Sequence, residues 1–211
     1  MDPPPLLHHP LGPPLGADFF AERDVLRLAR DLVGKVLVHD TAEGTCAGRI
    51  VETEAYRGPE DLAAHSSHGR RTGRVAAMWG PPGHAYVFLL YGMHWAFNVV
   101  AGPEGEPHAV LIRALEPVLG ENVMAHRRGL APGARTLTNG PGKLCAAMGI
   151  DKRHYGAPLD APPLYLADGP RGRIRLGRGP RINVDYAGAW AARPWRFWER
   201  GNPWVSVKPR D

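Results

Sequence analysis

With 211 residues, 44% of them apolar, the chain can bury one full core, and one domain is expected. No apolar run approaches the roughly 18 residues of a membrane span. Cys46 and Cys145 have no paired spacing, so they read as free, buried thiols in a reducing compartment, not as a disulfide framework or a zinc site. The formal charge of +5 is unevenly spread: residues 151–211 hold 12 Lys and Arg against 6 Asp and Glu, and the first 150 hold 14 against 15. A basic half on an otherwise neutral domain suits a polyanionic partner.

Residues 1–16 are broken by Pro3, Pro4, Pro5, Pro10, Pro13 and Pro14 and lack a basic start, which fits a disordered leader and no signal peptide. A cytoplasmic location is expected, nucleoid-associated in a bacterium. From about Ala17 to Val33, Phe19, Phe20, Val25, Leu26, Leu28, Ala29 and Leu32 make the apolar stripe of a helix that Gly34 ends. Lys35–Asp40 and Thr45–Tyr56 predict a hairpin about Glu43-Gly44, and residues 57–83 a long, functional surface loop. His84–Leu90 and His94–Ala101 form a second hairpin with Tyr91 near its turn, and His108–Leu115 a strand ending at Pro117. Glu121–Arg128 and Pro141–Met148 are short helices, and strands return from Leu164, with the arginines of 171–181 on loops or solvent faces. Hairpin-paired strands with interspersed helices predict an α+β fold: one domain over 17–211, with a mostly antiparallel curved sheet and a protruding hairpin.

Strand side chains alternate faces, so Glu52, Glu54 and Tyr56 point the same way, with His65 shortly after. From this segment alone, they form either a solvated acidic face or a chemical site. The two carboxylates stand about 6.8 Å apart at their Cα atoms. Glycosidase pairs flank the scissile bond from separate elements, so at most one of these two is a working carboxylate. Gly140-Pro141-Gly142-Lys143 fails as a phosphate loop, because Leu137 and Leu144 stand where that loop needs Gly and Ser or Thr. It keeps a faint likeness to a helix-hairpin-helix turn. His65, His68, His84 and His94 show no metal-ligand pattern, so no metal or other cofactor is expected. The basic stretches His68–Arg74 and Arg171–Arg181 are phosphate contacts or solvated faces. Tyr91 is a turn residue packed on the sheet or an exposed wedge able to part stacked bases.

Several segments in order resemble one family: Val-Glu-Thr-Glu-Ala-Tyr at 51–56, Gly-Pro-Glu-Asp…His at 58–65, Tyr-Gly-Met-His…Asn at 91–98, Leu-Ile-Arg-Ala-Leu-Glu-Pro at 111–117 and Gly-Asn-Pro-Trp-Val-Ser at 201–206. The family is the alkyladenine (3-methyladenine) DNA glycosylases, the type without a helix-hairpin-helix, and the likeness runs from about residue 18 to 208. It implies a single-domain α+β enzyme, a monomer acting on double-stranded DNA. Such enzymes flip out 3-methyladenine, 7-methylguanine, hypoxanthine or ethenoadenine and hydrolyse the N-glycosidic bond.

By the same resemblance Glu54 is the general base that activates water, Arg113 helps place that water or a nearby phosphate, and Glu52 is structural support. Tyr56 and His65 sandwich the flipped purine. Phe88 takes the third stacking position, where the family commonly has tyrosine; it keeps the π-face and loses the hydroxyl. Asn98 is the filter against the 2-amino group of guanine, and Tyr91 with Met93 fills the vacated stack. Arg70, Arg71, Arg74 and Lys143 are expected on the DNA backbone. With no lysine matched to the pocket, a monofunctional enzyme without lyase activity is implied. A non-catalytic binder of distorted nucleic acid and an enzyme acting on RNA or free nucleosides are the alternatives, and the intact Glu54, Tyr56, His65 and Arg113 set argues against them.

Overall fold

A computed structural model describes residues 11–21, 23–169 and 172–208. The stripe predicted as one helix forms two, α1 (Ala17–Ala21) and α2 (Val25–Leu32). Asp24 causes the division. Its backbone is extended, and its carboxylate accepts from the N–H groups of Leu26 and Arg27 at 2.8 and 3.0 Å, an N-cap that starts a fresh helix. Val25, Leu28, Ala29 and Leu32 then form the buried face.

The strands are β1 (Val36–Thr41), β2 (Gly44–Arg57), β3 (Ala85–Leu90), β4 (His94–Ala101), β5 (His108–Leu119), β6 (Leu164–Ala167), β7 (Leu176–Gly179) and β8 (Arg196–Glu199). They build one curled antiparallel sheet in the order β3-β4-β5-β2-β1-β6, while β8 branches from the far half of β2 and carries β7. Helices α3 (Glu121–Arg128) and α4 (Pro141–Met148) pack with α2 on one side. The α+β architecture, a curled antiparallel sheet in a single domain, is the one the sequence predicts.

Three expectations need correction. β5 continues past Pro117 to Leu119, because β4 covers only His108–Leu111 and leaves this end of β5 free on that side. A register shift beside the Gly48↔Pro117 pair further relieves the missing donor. Residues 11–16, assigned by composition to the leader, are ordered against β6. Leu15 is buried and its N–H donates to Leu166 O at 2.8 Å, while Asp168 N–H donates to Pro13 O at 3.0 Å. The rest of that leader, 1–10, lies outside the described residues. Third, Arg181, expected on a loop or a solvent face, does sit on a loop, but its side chain is buried in an ion pair and is neither a solvated residue nor a phosphate contact. Cys46 and Cys145 are free and buried as expected, and no helix among the described residues is long and apolar enough to cross a membrane.

The sheet has two differently used faces. Val87, Phe97, Val99, Val110 and Ile112 turn toward the helices and form the main core with Leu28, Leu32, Leu144 and Met148. Thr53 joins this side, its hydroxyl donating to Ala29 O of α2 at 2.7 Å. The alternate positions, Tyr86, Phe88, Ala96, Val100, Ala109 and Leu111, form a second cluster on the opposite face. That second face lines the cavity of the candidate site.

Candidate active site

Strand register lines up one transverse row on the second face. Tyr86 of β3 pairs Asn98 of β4, Asn98 pairs Leu111 of β5, and Leu111 pairs Glu54 of β2, whose other neighbour is Arg196 of β8. Directly paired residues project to the same side, so alternation alone brings residues from five strands onto one floor. Above it lies a cavity of about 470 Å³ lined in part by Tyr56, His65, Phe88, Asn98, Leu111 and Arg113.

Glu52 and Glu54 are both fully buried, which overturns the solvated-face alternative. Register shifts flank Glu52, so that Arg113 falls between the pairs Glu52↔Ala114 and Thr53↔Ile112. Such bulges re-aim a side chain. Here the Arg113 guanidinium reaches both carboxylates, with Nε 3.1 Å from Glu52 Oε1 and Nη1 3.3 Å from Glu54 Oε1. Burial alone would lower the pKa of Arg113, but Glu54, Glu52 and Tyr56 outweigh it and hold the pKa up, so the cation is permanent. Glu52 is otherwise occupied by Arg196 Nε at 2.7 Å and the Ser206 backbone N–H at 2.6 Å. Glu54 receives the Ile182 backbone N–H on Oε1 at 2.7 Å and the Tyr56 hydroxyl on Oε2 at 2.8 Å. A carboxylate has about four acceptor sites, so Oε2 keeps one for a further donor. Glu54 does not itself line the cavity, but its bonded neighbours Tyr56, Arg113 and Ile182 do.

The long loop after β2 supplies a wall. Gly58 lets it fold back closely, since a Cβ there would meet Ser66 Oγ at 1.9 Å and Pro107 O at 2.9 Å. Asp61 organises the turn by accepting from the N–H groups of Arg57 and Ala63 at 3.1 and 3.0 Å. It also pairs with Arg181, both side chains being fully buried. The Arg181 guanidinium lies 4.7 Å from the Tyr56 ring centroid and 5.1 Å from that of Trp195, so it backs the Tyr56 wall from inside. Burial, then the adjacent Glu54 charge, pushes the Tyr56 phenol well above its ordinary pKa and keeps it a donor.

His65 meets β3. Its Nδ1 is 2.8 Å from the Tyr86 hydroxyl, and its ring lies 4.4 Å from that of Phe88 at 76°. Burial, followed by the charges of Arg74 and Arg70, lowers its pKa to about 4, so the imidazole is neutral at pH 7. Asn98 is fixed by donating from Nδ2 to Tyr86 O at 2.9 Å.

At the rim, Tyr91 and Gly92 have φ of 49° and 72°, and Met93 N–H donates to Leu90 O at 3.0 Å. Two positive φ values mark a type I′ turn, which favours Asn or Gly. A tyrosine there is held against its preference, and strain of this kind gathers at functional sites. Its side chain is 80% exposed, which overturns the packed-back alternative. Met93 is 72% exposed beside it. Arg70, Arg71 and Arg74 are exposed and have no carboxylate partner among the described residues. Lys143, near the start of α4, donates to Asn139 Oδ1 at 3.0 Å, and Pro141 of the same helix lines the cavity. Among the described residues no group of three or more His, Cys, Asp or Glu is arranged to hold a metal.

Residues 18–203 match the methylpurine-DNA glycosylase family. The chain belongs to that family. A Desulfitobacterium hafniense protein, provisionally named 3-methyladenine DNA glycosylase, is 48% identical over 201 residues, covering 92% of this chain and 98% of its own. Similarly named proteins are 50% identical over 191 residues in Anaeromyxobacter dehalogenans, covering 90% of this chain and 84% of theirs, and 46% over 199 residues in Bacillus cereus, covering 90% and 97%.

The stretch matched to the methylpurine-DNA glycosylases runs across all the strands of the pocket but stops short of Ser206, which holds Glu52. Sequence reasoning grouped Glu54, Tyr56, His65, Phe88, Asn98 and Arg113; the fold brings the last five to the lining of one cavity and sets Glu54 behind them, bonded to Tyr56 and Arg113. It missed Tyr86, for which the parity of Tyr86 with Phe88 along β3 was an available signal. It also missed Asp61, Arg181 and the Ile182 amide. A backbone N–H carries no sequence signal, and Arg181 was hidden among exposed arginines.

Proposed function

We propose that the protein is a monofunctional DNA glycosylase that flips alkylated or deaminated purines out of duplex DNA and hydrolyses their N-glycosidic bond. One observation carries this reading: a buried carboxylate, Glu54, is held by three donors beneath an aromatic-lined cavity whose rim bears the exposed Tyr91. In the proposed step water attacks the sugar C1′, the C1′–N bond breaks, and the departing base takes the bonding pair. The free acceptor site on Glu54 Oε2 receives the water's proton, and its charge stabilises the cationic sugar.

Tyr56, His65 and Phe88 embrace the flipped purine, and Asn98, locked to Tyr86 O, acts as a rigid filter against the guanine 2-amino group. A neutral His65 adds no repulsion toward a cationic base such as 3-methyladenine, and the aromatic faces attract it. Tyr91, with Met93, fills the vacated stack, while Arg70, Arg71, Arg74 and Lys143 hold phosphates. Among the described residues no lysine lines the cavity, which supports hydrolysis without strand cleavage. The test is base release from duplexes carrying hypoxanthine, 1,N6-ethenoadenine, 3-methyladenine or 7-methylguanine, with intact abasic strands as product. Failure to release any of the four, with lesion binding retained, would leave a non-catalytic binder of distorted DNA.

A further inference from the structure

The segment after the buried Arg181 also lines the cavity, through Ile182, Asn183, Val184 and Tyr186. Val184 and Ala187 anchor it by packing on Ala63, and between them Tyr186 points outward, 72% exposed. Asn183 and Gly188, either side of it, both have φ of 57°, so the backbone is bent into left-handed conformations to present this residue. The Tyr186 ring is not loose: its hydroxyl donates to Ala63 O at 3.3 Å. Tyr186 and Tyr91 come from different elements, and both line the cavity.

We propose that Tyr186 is a second aromatic contact to the lesion strand, its ring packing on the base and deoxyribose of the nucleotide next to the flipped one. This rests on the glycosylase function proposed above. A nucleotide entering the cavity passes between Tyr91 and Tyr186, so its neighbours in the strand lie against the mouth. The exposed Asp185 beside Tyr186 repels phosphate, which leaves the apolar faces of sugar and base as the matching surface. A ring already fixed through its hydroxyl loses little freedom on binding. Stacking on such a ring is tolerant of base identity, which suits an enzyme that meets lesions in any sequence.

The test is affinity for a duplex carrying a tetrahydrofuran abasic-site analogue, measured for wild type, Tyr186→Ala and Tyr186→Phe. Loss of one stacking contact corresponds to about tenfold weaker binding for the alanine variant. The phenylalanine variant, keeping the ring, stays within about twofold of wild type. 2-Aminopurine placed beside the analogue reports the same contact: its response to wild type is lost with alanine and kept with phenylalanine. Equal affinity for wild type and alanine, or equal losses in both variants, would overturn the role of the ring. Melting curves run in parallel separate a folding defect from a lost contact. If wild type itself does not distinguish the abasic duplex from undamaged DNA, the glycosylase reading fails before Tyr186 is in question.

Discussion

The floor and the rim of the cavity handle charge in opposite ways. Beneath the floor, three carboxylates, Glu52, Glu54 and Asp61, and three arginines, Arg113, Arg181 and Arg196, are buried and bonded to one another. Their charges cancel, so this cluster exerts little long-range pull on DNA, but it fixes Glu54 and the Tyr56 wall in place. At the rim, Arg70, Arg71 and Arg74 stand exposed, without carboxylate partners among the described residues; Arg71 lies 5.0 Å from the Trp79 ring centroid and Arg74 5.4 Å from that of Phe88. Attraction for a polyanion therefore resides in the rim, and preorganised electrostatics in the floor.

The sharpest way to separate the two is at Glu54. Replacing it by Gln keeps the shape: the amide oxygen still accepts from the Ile182 N–H, the amide NH2 can donate to the Tyr56 hydroxyl, and Arg113 retains Glu52, so folding and DNA binding survive. Base release in single turnover should fall by about 10²–10⁴-fold. Undiminished release would remove Glu54 as the base. The floor cluster makes a second, structural prediction. Among the described residues Arg181 pairs with one carboxylate, Asp61, which is fully buried. Arg181→Met strands that charge and should cost about 3–5 kcal/mol in denaturant unfolding. The pair replacement Arg181→Met with Asp61→Leu should recover much of this, and a double variant as unstable as the single would show that packing, not charge, dominates.

Much of this division was legible in the sequence. Two-residue alternation set Glu52, Glu54 and Tyr56 on one face, and the same rule, applied to Phe88, Asn98 and Arg113, gathers the floor once strands pair in register. Pairing across β2 and β8 was not legible, because it depends on residues far apart in the chain: Glu52 meets Arg196 and Ser206, and Asp61 meets Arg181, only in the folded sheet. Composition also misplaced residues 11–16 and missed the burial of Arg181. A Pro-rich run can still bury one leucine, and a basic run can still send one arginine inside.

The rim is tested at Tyr91. Its alanine variant loses the ring proposed to fill the emptied stack, which predicts a change of about tenfold in affinity for lesion DNA. The 2-aminopurine signal of a flipped base should fall with it, while the floor and the fold stay intact because the side chain is 80% exposed. An unchanged flipping signal would move the wedge role to another residue.

The smallest effect concerns His65, where rim and floor meet. Its folded pKa of about 4 lies below its ordinary value of 6.5, because of burial and then the charges of Arg74 and Arg70. The unfolded chain thus binds the proton more readily. Above pH 6.5 both states are neutral at this site and it makes no difference. As the pH falls from 6.5 toward 4 the unfolded state gains protons first, so stability declines through this window and levels off below it. His65→Gln should lose that portion of the pH dependence. In the wild type the His65 ring resonances should titrate near pH 4, and a midpoint near 6.5 would mean that the rim arginines and burial do not act on it, leaving a cation beside the bound purine at mildly acidic pH.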